Sequence, residues 1–177
     1  MQLKEHVCLM AEYNQNMNQK IYEAAEKLTQ SQLHENCGAF FGSVFGTLNH
    51  IAVGDIIWLN RFSSLLQANP ALSFVRELSL PESLEAVLCP GLQELKSLRI
   101  RLDESLSNLA ASITEAQLSQ YVSYKNMKGE AFSKNLFSLL MHVFNHQTHH
   151  RGQVTTLLSQ FGVGYGVTDL VVLIPNV

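Results

Sequence analysis

The chain has 177 residues, of which 46% are hydrophobic and 15% charged, with a formal net charge of −3. That composition fits a folded globular protein read as one domain over 1–177, and its few, scattered Lys and Arg leave no basic stripe for a nucleic acid partner. Cys8, Cys37 and Cys89 form no CxxC pair, and residues 1–20 alternate polar with apolar positions, so reduced thiols in the cytoplasm are expected rather than export.

From Leu3 to Leu28, apolar residues recur at spacings of three and four, the period of an amphipathic helix. Thr29 to Gly38 lacks periodicity and leads to a second helical run, Phe40 to Leu66, apolar on most sides and expected inside a bundle. This run approaches membrane-span length, but Asn49, His50, Asp55 and its glycines argue for a buried helix instead, so no membrane partner is expected. A polar connection between Pro70 and Pro81 precedes a leucine-rich third helix, Ser83 to Leu109. Pro90-Gly91 should kink it or delay its start. Tyr121 to Phe132, with Lys128-Gly129 between, reads as a short β-hairpin. The fourth helix runs from Lys134 to Phe161 and ends at Gly162, where a left-handed cap is natural. The apolar run Leu170 to Ile174 in the tail is expected to dock on the bundle. The fold class is all-α, a four-helix bundle with a short hairpin before the last helix.

At about 100° per residue, His146 and His150 fall within the apolar face of the fourth helix, and His142 and His149 on its shoulder. Two imidazoles at i and i+4 stack one turn apart and can reach one ion at about 2.0–2.1 Å. In the second helix, His50 shares a face with the small residues Ala39, Ser43, Gly46, Thr47 and Gly54, which leave room for a neighbouring helix and an ion. From the residues alone, a three-histidine site and a set of hydrogen-bonded core histidines remain alternatives.

The run from His142 through His146, His149 and His150 to Gln153 closely resembles the last-helix motif of the DinB/YfiT-like superfamily of damage-inducible bundle proteins. The resemblance extends to Leu48–Trp58, to Ala11–Met17 and to Asp169-Leu170. It implies a four-helix bundle, commonly a homodimer, with one divalent ion on His50, His146 and His150. It also implies, for some members, metal-dependent transfer of a low-molecular-weight thiol onto an electrophile, with a small thiol or small-molecule substrate as the expected partner. Three neutral imidazoles suit zinc or nickel without choosing between them, and they leave an open coordination position.

A metal-dependent hydrolase and a non-catalytic bundle, stabilised by metal or sensing it during stress, are the other readings of the same ligands. His142 and His149 are candidates to support the site or to titrate at the surface. Arg151 is an anion contact or, by preference, a solvated charge, while Asn49 and Gln147 are candidates to orient the imidazoles or line a pocket. Trp58 and Phe62 fit either a subunit interface or ordinary core. No Gly-x-Ser-x-Gly elbow is present to suggest a serine hydrolase.

Overall fold

Periodic apolar sequence produces four long helices in the computed structural model, which describes residues 2–176: α1 (Leu3–Ala25), α3 (Val44–Leu65), α5 (Leu92–Ser112) and α7 (Leu136–Gln160). Short helices α2 (Gln30–His34), α4 (Ser73–Glu77) and α6 (Glu115–Leu118) lie in the connections. α1 packs on α5 and α7, and α3 packs on the same two helices, so each long helix borders two others. Leu95, Leu102, Leu106 and Leu109 of α5, Phe62 of α3 and Phe144 of α7 are buried at the centre. Each such side chain contributes about 1.5–3 kcal/mol relative to exposure. Among the described residues, no helix is long and apolar enough to cross a membrane.

Local chemistry moves several helix ends from where periodicity puts them. α1 stops at Ala25, and Thr29 then caps α2: its hydroxyl accepts from Gln32 N while its own N–H donates to the Gln32 side chain. Thr114 and Gln117 repeat this box at α6. α3 starts at Val44, not Phe40, because Ser43 Oγ accepts from Gly46 N at 3.0 Å. Before it, Phe40 and Phe41 sit in a tight turn that places Gly38 and Gly42 at φ of 72° and 74°. α5 begins only after Gly91, so Pro90-Gly91 delays the helix rather than kinking it.

The hairpin pairs β1 (Tyr121–Lys125) with β2 (Ala131–Asn135) in antiparallel register, Tyr124 opposite Phe132. α7 closes on Gly162 at φ 71°, with Val163 N–H returning to Leu158 O at 2.9 Å. The tail docks on α1 as expected, through a 3-10 turn at Leu170–Leu173 in which Leu170 and Leu173 are half-buried. Tyr13 Oη and Lys20 Nζ of α1 donate to the backbone carbonyls of Thr168 and Val167, whereas Val171, Val172 and Ile174 remain 68%, 55% and 48% exposed.

A polar network joins all four long helices at depth. Arg99 pairs with Asp55 and, at 3.0 Å, with Asp103, all three at most 4% exposed. Asn18 donates to Asp103 and to Gln147, and Gln147 donates to Asp55 at 2.8 Å. Arg151, 4% exposed, donates to Asn14, Asn18 and Gln147. Two arginines thereby balance two aspartates where unpaired charge would be costly.

Candidate metal centre

The α3 and α7 helices bring His50, His146 and His150 together, with one ring nitrogen from each lying within 4.8 Å of the others. His50 is buried, and the Leu84 carbonyl accepts from its Nδ1–H at 3.0 Å, which leaves Nε2 with its lone pair facing inward. Asn49 secures that carbonyl's segment by donating to Ala86 O and accepting from Leu88 N. His150 Nδ1–H donates to Gln153 Oε1 at 2.7 Å, which frees its Nε2 in the same way. His146 reaches the cluster past Gly54, where a Cβ would sit 2.8 Å from its Cε1.

His50 Nε2 and His146 Nε2 are 3.1 Å apart. Ligand nitrogens around tetrahedral zinc at about 2.0–2.1 Å are separated by roughly 3.3 Å, so the spacing fits an ion with little adjustment. The same spacing makes a hydrogen bond when His146 carries its proton on Nε2, and the pair is then satisfied without an ion. Burial, followed by the neighbouring His150, His50, His142 and His149, pushes His146 down to about 3. Burial also lowers His50 against the pull of the Leu84 carbonyl, and His150 against that of Gln153. All three are therefore neutral at neutral pH, the state a metal ligand needs.

The cluster opens into a pocket of about 630 Å³. Phe41 stacks on the His50 ring at 3.6 Å between centroids and meets His150 edge-on. Trp58 packs against His142 at 5.0 Å, and His149 against His150 at 4.8 Å, so both shoulder histidines line the pocket. Asn49, Gln147 and Arg151 do not line it. Asn49 instead donates to Ala86 O and accepts from Leu88 N, in the same segment as the Leu84 carbonyl that meets His50. Gln147 and Arg151 turn to the opposite side of α7, into the buried network, so Arg151 is neither solvated nor directed at the histidines. Phe62 is core and Trp58 is pocket wall.

Leu84, Phe41, Arg61 and Gln153 belong to the pocket and were not assigned roles from sequence. Gln153 was accessible, standing three residues after His150 on the same helix face. Leu84 acts through its backbone, which carries no sequence signal.

A family model described as the DinB family matches residues 1–174. The chain belongs to the DinB family. It is also 29% identical to Protein DinB of Bacillus subtilis (strain 168) over 158 residues, covering 89% of this chain and 87% of that one. No solved structure shows a significant match. Within the DinB family, then, this member has three converging histidines lining a pocket walled in part by aromatic side chains.

Proposed function

We propose that this DinB-family chain binds one divalent ion, zinc or nickel, through His50, His146 and His150, and transfers a small thiol to an electrophile at that site. The observation that carries the metal reading is the convergence of three neutral imidazole nitrogens within 4.8 Å. When bound, the ion supplies an open coordination position that lowers the pKa of a thiol and holds it as thiolate, the nucleophilic form.

The chain's own residues supply the rest. Leu84 and Gln153 fix the outer nitrogens of His50 and His150, so neither ring needs to reorient on binding. Phe41 and Trp58 give the pocket apolar walls that limit water around the reacting sulfur. Among the described residues neither Asp nor Glu lines the pocket, so no carboxylate base faces it to activate water, which favours thiol transfer over hydrolysis.

Elemental mass spectrometry on untagged protein tests the first step: about one ion per chain is expected, lost in a His146→Ala/His150→Ala variant. Incubation with zinc or nickel that leaves the native chain without stoichiometric metal overturns the proposal. A thiol conjugation assay with a chromogenic electrophile then tests the second step, and a rate identical with and without metal leaves only binding. In that event the bridge between α3 and α7 supports the second reading, an ion that stabilises the bundle or is sensed by it. The proposal extends to a homodimer, supported by the exposed apolar tail and checked by sedimentation at several concentrations.

A further inference from the structure

Arg61 lies roughly three turns beyond His50 on α3 and lines the same pocket. Its guanidinium is held 4.4 Å from the Trp58 ring centroid and 4.5 Å from that of Tyr124, and Nη2 donates to the Lys125 carbonyl at 3.2 Å. Among the described residues no carboxylate pairs with it. Lys128, at the turn of the hairpin, adds a second unpaired cation to the lining, while Glu130 nearby is engaged by Asn126 at 2.6 Å.

An arginine fixed by two rings and a carbonyl has already lost much of its conformational freedom. It keeps further N–H donors, and its neighbourhood lacks the counter-charge such a group normally finds. Its partial burial lowers its pKa, the cost of leaving it unpaired. This differs from a solvated surface arginine, whose side chain is free to move.

We propose that Arg61, assisted by Lys128, forms an anion subsite that receives a carboxylate, sulfonate or phosphate group of the molecule whose sulfur reaches the histidine cluster. The proposal rests on the reading of the pocket as a metal and thiol site, and it adds the chemical class of the thiol. Arg61 is on the order of 16 Å along the helix axis from His50 at about 1.5 Å per residue, with its side chain turned back over Trp58. The sulfur and the anionic group are therefore separated by several bonds, as in an extended molecule rather than a two-carbon thiol.

Trp58 is the chain's one tryptophan and packs directly against Arg61, so its fluorescence reports occupancy of the subsite. The experiment titrates zinc-loaded protein with mercaptohexanoate and with the neutral mercaptohexanol, for the native chain and for Arg61→Gln, Arg61→Lys and Arg61→Gln/Lys128→Gln variants. Circular dichroism confirms that each variant is folded. The anionic thiol should bind roughly tenfold tighter than the neutral one, a preference retained in large part by Arg61→Lys and lost in Arg61→Gln. Equal affinity for the two thiols, or a preference that survives in the double variant, overturns the subsite and leaves the metal and thiol reading standing. If neither thiol binds, that reading fails instead, and hexanoate on metal-free protein decides the subsite. A Trp58 response abolished by Arg61→Gln supports it, and no such response overturns it.

Discussion

Gly54 faces His146 so closely that a Cβ there would sit 2.8 Å from the imidazole Cε1. Alanine in place of a mid-helix glycine ordinarily stabilises by about 0.5–1 kcal/mol. Gly54→Ala therefore separates two effects. The metal-free protein should melt near or above the native temperature, while zinc affinity falls by about tenfold or more because the His146 ring is displaced. Competition with a chromophoric chelator measures the affinity, and a native value would show that the ring is not held by this contact.

Asn49→Leu tests the support behind His50. It removes the bonds to Ala86 O and Leu88 N, at a cost of about 1–3 kcal/mol for the backbone groups left unpaired. With that segment loosened, the Leu84 carbonyl no longer fixes the His50 ring, and zinc affinity should fall by about 10–100-fold. Urea denaturation and zinc titration on the same preparation give both numbers. Lost stability with unchanged affinity would place the Leu84 contact outside the control of Asn49.

The long helices were legible because leucines at positions such as 95, 102, 106 and 109 obey one period, and Pro90-Gly91 marked a break whose outcome, a late start, the structure supplies. α2 and α6 escaped a periodicity reading since they are held by their Thr-x-x-Gln caps more than by an apolar face. His146 and His150 could be placed within the apolar face of the last helix from helix angles alone, whereas His50, buried in the fold, was marked only by the small residues that share its face. Gln147 and Arg151 could not be placed by their nearness to the histidines in sequence. One residue along a helix is about 100° around it, which carries both side chains away from the pocket and toward Asp55 and Asn14. Arg61 was silent because its second ring, Tyr124, arrives from the hairpin, a tertiary pairing with no local signature.

Acid should weaken the metal-stripped protein. His146 titrates at about 3 in the fold, whereas an unperturbed histidine titrates at 6.5. Between those values the unfolded chain carries the proton and the folded chain does not, so stability rises with pH across the window and falls as pH drops through it. His50 and His150 shift in the same direction and add to the effect. Thermal unfolding should show a lower Tm at about pH 5 than at about pH 7.5, with a shallower dependence in His146→Gln. A flat profile for the native chain would contradict a neutral His146.

Arg99→Leu removes the cation shared by Asp55 and Asp103. Burial already raises both carboxyls, Asp103 to about 6, so neither tolerates losing its partner. Breaking such a buried pair costs about 3–5 kcal/mol. Adding Asp55→Asn and Asp103→Asn should recover part of the loss, since uncharged groups need no counter-ion. Urea midpoints decide this, and a loss that the added changes leave untouched would assign it to packing alone.

His50 and His146 stand 96 positions apart in the sequence, yet their imidazole nitrogens meet at 3.1 Å. An ion held between them closes a very long loop of chain, and the entropy of that closure grows only slowly with loop length. Such a contact forms late if the helices assemble first, because each ligand is in place only after α3 and α7 have docked. A bond made after the rate-limiting step slows escape from the native state without hastening arrival. Metal at this position would thus act as a latch on an assembled bundle: refolding rates would be nearly indifferent to it, and the lifetime of the folded chain would lengthen.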